Sequence, residues 1–200
     1  MDLVERAKRI LLQPGQEWQA INAEAATTAD LYRNYIVPLA AIGPVASIIG
    51  MSVVGVSVPF FGTYRVPFGA AISHAVVSYV LTLAGVYVLA LIIDALAPTF
   101  AGQKNDIQAL KLATYASTAA WLAGIFSLIP ALSVLGVLGL YSLYLLYLGL
   151  PILMKAPQEK ALAYTAVVVV AAILLFAVIS VVAGAFVTYP TPTMRMPGTK

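Results

Sequence analysis

The chain has 200 residues, 62% apolar and 10% charged, with a mean hydropathy of +0.95 and a formal net charge of +3. Soluble domains are about 45–50% apolar and about 25% charged, so eleven basic and eight acidic side chains cannot clothe a water-facing surface of this size. That excludes an ordinary soluble enzyme, a disordered protein and a nucleic-acid binder, and the absence of cysteine excludes disulfides, thiolate metal sites and a cysteine nucleophile.

At the amino end, Leu3, Val4, Ala7, Ile10 and Leu11 fall at helical spacing beside Arg6, Lys8 and Arg9. This alternation lacks the uninterrupted apolar core of a cleavable leader. Gln13-Pro14-Gly15 interrupts, and a second amphipathic stretch carries Trp18 and Ile21. A basic amphipathic helix with a tryptophan lies at an anionic membrane surface, so residues 1–34 read as a cytoplasmic amphipathic segment. It either seats the first span or docks a partner.

The charge-free intervals count the spans. There are 31 uncharged residues between Arg33 and Arg65, 28 between Arg65 and Asp94, 43 between Lys111 and Lys155, and 34 between Lys160 and Arg195. A bilayer core of about 30 Å takes about 20 helical residues. The longest interval would run roughly 65 Å as one helix, so it folds back, and Pro130 is the natural break. Five helices follow, at 35–58, 68–96, 107–129, 132–154 and 161–188. The expected fold is all-α, a polytopic membrane protein with a five-helix domain over 35–188 and a proline-rich, disordered tail over 189–200.

Lysine and arginine orient it. With the N-terminus in the cytoplasm, the inner segments hold Arg6, Lys8, Arg9, Arg33, Lys104, Lys111, Lys155 and Lys160, and the outer ones Arg65, Arg195 and Lys200. Eight against three places the C-terminus outside.

Catalytic motifs are absent and the single histidine excludes a multi-histidine metal site, so no enzyme, cofactor or metal is expected. Ionisable groups within spans are the functional candidates. His74 lies near the outer end of the second span. Asp94 and Lys111 flank one short inner loop, where they either pair or line a polar cavity. Tyr141, Tyr144 and Tyr147 form a stripe on the fourth span, with Tyr115 on its neighbour; a mid-membrane phenol needs a hydrogen-bond partner, so the stripe should face the bundle or another subunit. Small residues at a spacing of four mark expected helix contacts: Gly43 and Ser47; Ala116, Ala120 and Gly124; Ser180 and Gly184. Gly43-Pro44 should kink the first span.

The segment Ala95-Leu96-Ala97-Pro98-Thr99-Phe100-Ala101-Gly102-Gln103-Lys104-Asn105, then Ala109-Leu110-Lys111-Leu112-Ala113-Thr114-Tyr115-Ala116-Ser117-Thr118, Trp121-Leu122-Ala123-Gly124, Leu128-Ile129-Pro130, Gly139-Leu140-Tyr141 and Tyr147-Leu148-Gly149-Leu150-Pro151-Ile152-Leu153-Met154-Lys155, resembles the bacterial branch of the Yip (Ypt/Rab-interacting protein) membrane family. The opening Leu11-Leu12-Gln13-Pro14 with Glu17-Trp18 fits the same pattern. The resemblance spans roughly residues 8–185 and implies five spans with a cytosolic N-terminus. It does not carry over the Rab-linked role of eukaryotic members, whose Asp-Leu-Tyr-Gly-Pro signature this chain lacks. The reading is a non-enzymatic, multi-pass protein of the bacterial inner membrane that organises lipid or partner proteins. Its expected interactors are membrane lipids and a second copy or another membrane protein. A small-solute or ion transporter or channel component is the alternative; an intramembrane enzyme comes third.

Overall fold

The structure, a computed structural model, describes residues 2–58 and 62–185. It is almost entirely helical. The predicted tail at 189–200 lies outside the described residues.

Helices α1 (Leu3–Leu12) and α2 (Pro14–Ala23) form a hairpin about Gln13. Pro14 opens α2, where a missing N–H costs no helical bond. The first long helix, α3 (Thr28–Val54), starts before the predicted residue 35. A capping box explains this: Thr27 Oγ1 accepts from the Asp30 N–H at 3.1 Å, and Asp30 Oδ2 accepts from the Thr27 N–H at 3.2 Å. Pro44 supplies no donor to the turn behind it, and the helix is interrupted by a turn at Ala41. Gly55, at φ 85°, ends α3 before the predicted residue 58. The chain instead forms a small antiparallel pair, β1 (Val56–Val58) with β2 (Gly62–Tyr64), in the register Val56 to Tyr64.

α4 (Phe68–Phe100) covers the predicted second span and closes in a tight turn over Ala97–Phe100. The predicted third span is a broken rod: α5 (Asp106–Ala116), α6 (Thr118–Ala123) and a 3-10 turn at Gly124–Leu128. The break at Ser117 is a local competition. Ser117 Oγ and Thr118 Oγ1 donate to the Ala113 and Tyr115 carbonyls, each at 2.7 Å, and loosen the ladder. The chain reverses at Ile129-Pro130 into α7 (Pro130–Leu153), whose first eleven residues are wound as 3-10 helix. α8 (Gln158–Ala185) returns alongside α4 and α7.

Four of these helices are long and apolar enough to cross a membrane: Thr28–Val54, Phe68–Phe100, Pro130–Leu153 and Gln158–Gly184. The predicted span at 107–129 is not among them: its helix is broken at Ser117 and is less apolar than the four. Every side chain from Ala109 to Ala116 is buried. That enclosed half needs no lipid-facing coat, so alanine, threonine and tyrosine are used there, whereas Ile125 and Ile129 beyond it are 49% and 43% exposed. On α8, Phe176 and Val181 are 71% and 74% exposed, as a lipid face requires.

The small residues sort into two groups. A Cβ on Gly124 would lie 2.8 Å from Gly43 Cα, and one on Gly139 would lie 3.2 Å from Ala120 Cα, so α3, α6 and α7 meet backbone to backbone. Ala116 is buried, while Ser47 is half-buried. Ser180 and Gly184 lie on the open face of α8: Ser180 Oγ bonds its own helix at the Phe176 carbonyl, and Gly184 has nothing within 4 Å.

Candidate functional site

The end of the bundle at which α7 finishes, its Leu153 end, is assembled around three groups that helices rarely bury: Arg6, Glu17 and Lys111, at 5%, 4% and 3% exposure. Arg6 Nη1 donates to Glu17 Oε1 at 2.7 Å, and Nη2 straddles the Glu24 carboxylate at 2.6 and 2.5 Å. Burial opposes the guanidinium charge, but the Glu24 hydrogen bond, the neighbouring Tyr115 and the charges of Glu24 and Glu17 outweigh it and hold the Arg6 pKa above its ordinary value. The guanidinium also sits 5.6 Å from the Tyr115 ring centre. These bonds tie α1 to α2 and both to α5.

Lys111 completes the dock. Its Nζ donates to the Ile21 carbonyl at 2.9 Å and the Glu24 carbonyl at 2.5 Å. These belong to the last turn of α2, where unpaired carbonyls and the negative pole of the helix dipole favour a cation. Gln108 adds a bond to the Asn22 carbonyl at 3.2 Å. Asp94 takes a different role: its Oδ1 accepts from the Asn105 N–H at 2.7 Å, and Oδ2 lies 3.7 Å from Lys104 Nζ. Asp94 and Lys111 therefore do not pair with each other. One braces the α4–α5 loop and the other caps α2.

An aromatic wall backs the dock. Trp18 is fully buried and meets Tyr115 edge-on at 6.4 Å, and Tyr35 meets Tyr115 at 4.7 Å. Tyr35 shares a hydrogen bond with Thr118 Oγ1 at 2.8 Å. Trp18 packs closely on α7 because Gly149 has no side chain; a Cβ there would stand 2.9 Å from the indole and 2.5 Å from Leu112 Cδ1. Beside this wall is a cavity of about 240 Å³ whose lining includes Arg6, Glu24, Asp30, Tyr35 and Tyr115.

The tyrosine stripe divides. The Tyr141 hydroxyl donates to the Leu11 carbonyl at 2.9 Å, and its ring is 5.4 Å from that of Tyr144. Tyr144 is 48% exposed, and Tyr147 accepts a 3.4 Å bond from Gln158. Half-buried His74 stands apart from the dock, with no side-chain hydrogen bond to a described residue. No group of three metal-ligating side chains occurs among the described residues.

The hairpin does not cap the end of the bundle; it lies along it. Leu3 lines the Arg6 cavity with Leu31, and a neighbouring trough follows α1 from Leu3 to Leu12 past Leu39, Ile42 and Leu122. Tyr141, which holds the Leu11 carbonyl, stands 12 residues before Leu153, a rise of about 18 Å. The turn of the hairpin thus reaches far along the bundle from the Leu153 end. Sequence periodicity finds both helices, but not the charges they bury: it places Arg6 on a basic face at a membrane surface and assigns Glu17 no partner.

Comparison with known proteins bears on the whole chain. The model of the Yip1 domain matches residues 8–179. The "Inner membrane protein YohC" of Escherichia coli strain K12 is 26% identical over 156 residues, which cover 76% of this chain and 80% of that one. Its counterpart from E. coli O6:H1 strain CFT073 matches to the same extent. No solved structure matches.

Proposed function

Because this chain belongs to the Yip1 domain family, we propose that it is an integral inner-membrane protein whose N-terminal hairpin occupies one leaflet and organises the lipid, and the partner proteins, around it. The chain crosses five times, with its N-terminus cytosolic and its C-terminus outside. The buried rod α5–α6 is the third crossing, antiparallel to α7. The lysine and arginine balance of eight against three supports this orientation, and the inner-membrane name of the relatives supports the location.

The observation that carries the proposal is the height of the hairpin turn. α8 has 28 residues, about 42 Å of helix, against about 30 Å of hydrocarbon. If all the spare length protruded on the cytosolic side, the hydrocarbon would begin about 12 Å above the inner ends. Tyr141, which holds Leu11, stands about 18 Å above them. The tip therefore enters the acyl region of the inner leaflet, with Leu12 68% exposed to it. A wedge in one leaflet expands that leaflet relative to the other and favours a curved membrane.

Vesicle shape tests this. Full-length protein reconstituted in anionic vesicles should narrow them, and Leu12→Glu, which places a charge on the exposed tip, should leave them as wide as protein-free controls. Equal diameters for the two proteins would refute a lipid-organising wedge. The polar cavity at Arg6, Glu24 and Asp30 favours a second reading, small-solute transport. Solute flux in the same vesicles, lost in Glu24→Gln, would establish it.

A further inference from the structure

Val4, Lys8 and Leu12 recur every four residues of α1 and so share one face. Val4 and Leu12 are 67% and 68% exposed, and Lys8 is also exposed. Beside this face runs a trough of about 470 Å³ between α1 and Leu39, Ile42 and Leu122, and Lys8 is its one charged lining residue. Beyond Leu11 and Leu122 a second apolar trough of about 430 Å³ continues to Phe126 and Leu138. Each is within the size range of small-molecule sites. Arg9, next to Lys8, is engaged with Glu5 at 2.7 Å. Lys8 forms no ion pair among the described residues.

We propose that the trough binds an anionic phospholipid of the inner leaflet, its phosphate on Lys8 Nζ and one acyl chain laid past Leu11 toward Phe126. This rests on the hairpin lying in that leaflet. Lys8 stands on the rim of the slot, whose α1 wall runs from Leu3 to Leu12 and which continues past Leu11 to Phe126 and Leu138; a cation on the rim of a long apolar slot is complementary to an amphiphile with an anionic head and an apolar tail, and a lysine ammonium meets a phosphate as a point charge. Lys8 lies four residues, about 6 Å, below Leu12 on the cytosolic side, which is the side of the headgroups. The bilayer supplies such a ligand continuously, so a shallow site stays filled.

The test uses full-length protein in nanodiscs containing phosphatidylglycerol or phosphatidylcholine with a photoreactive group on one acyl chain, and maps the labelled peptides. Phosphatidylglycerol should label 3–12 and 118–128 about fivefold more than phosphatidylcholine, as expected for one basic residue meeting one anionic headgroup. Lys8→Gln should remove that preference, whereas Arg9→Gln should keep it. An unchanged lipid ratio in Lys8→Gln, or labelling no denser there than on the exposed face of α8, would overturn the site. Labelled troughs in vesicles of unaltered width would leave the lipid site standing and remove only the shaping role.

Discussion

Each buried charge of the hairpin dock has a distinct cost when altered. Arg6→Met leaves the Glu17 carboxylate buried without its cation and should destabilise the protein by about 3–5 kcal/mol in thermal or denaturant unfolding. The double variant Arg6→Met/Glu17→Gln should recover part of that loss, because it removes the stranded charge as well as the pair. Lys111→Met strips the donor from two carbonyls of α2 and should cost about 2 kcal/mol or more, with residues 1–26 becoming protease-sensitive before the rest unfolds. Asp94→Asn keeps the acceptor for the Asn105 N–H and loses only the contact with exposed Lys104, so it should cost under about 1 kcal/mol. Equal effects of Lys111→Met and Asp94→Asn would mean that they form one staple after all.

Among elements, glycines rank the helix contacts. A Cβ on Gly50 would lie 2.0 Å from the Ser127 carbonyl oxygen, a backbone atom that cannot yield. Gly50→Ala should therefore cost more than about 3 kcal/mol, above the usual overpacking range. Gly149→Ala must displace the end of Leu112 and the rigid, fully buried Trp18 indole and should cost about 1–3 kcal/mol; a shift of tryptophan fluorescence that is absent in a Trp18→Phe background reports the displacement. Gly184→Ala meets nothing within 4 Å and should be neutral or stabilise by up to about 1 kcal/mol through helix propensity. The apolar runs made α4, α7 and α8 legible because lipid-facing helices repeat the same constraint at every turn. Gly43, Ala120 and Gly124 were legible for the same reason in reverse, as small residues where backbones meet. Ser180 and Gly184 carry that spacing with nothing packed on it. The Gly50 and Gly149 contacts could not be read, since each depends on which distant backbone or indole arrives.

For the whole molecule, composition determines the solvent and the burial pattern determines the layers. Long helices face lipid around a rod of small and polar residues, and the hairpin α1–α2 lies along one flank of the bundle. Four helices are long and apolar enough to cross a membrane; the rod at 106–128 is broken at Ser117 and less apolar than they are, and the charge-free interval from Lys111 to Lys155, folded at Pro130, is what supports the proposal that it crosses as a fifth. The docked hairpin was half legible: its amphipathic spacing was visible, but its depth depends on Tyr141, 130 residues away from Leu11. The chain contains no cysteine, so single cysteines introduced at Asp2, Gln103, Ser133 and Gln158, all exposed, can be challenged with a membrane-impermeant maleimide from either face of sealed membranes. The account predicts that Asp2, Gln103 and Gln158 react only from the cytosolic face and Ser133 only from the opposite one. Reaction of Ser133 and Gln103 from the same face would show that α5–α6 does not cross, and would contradict it.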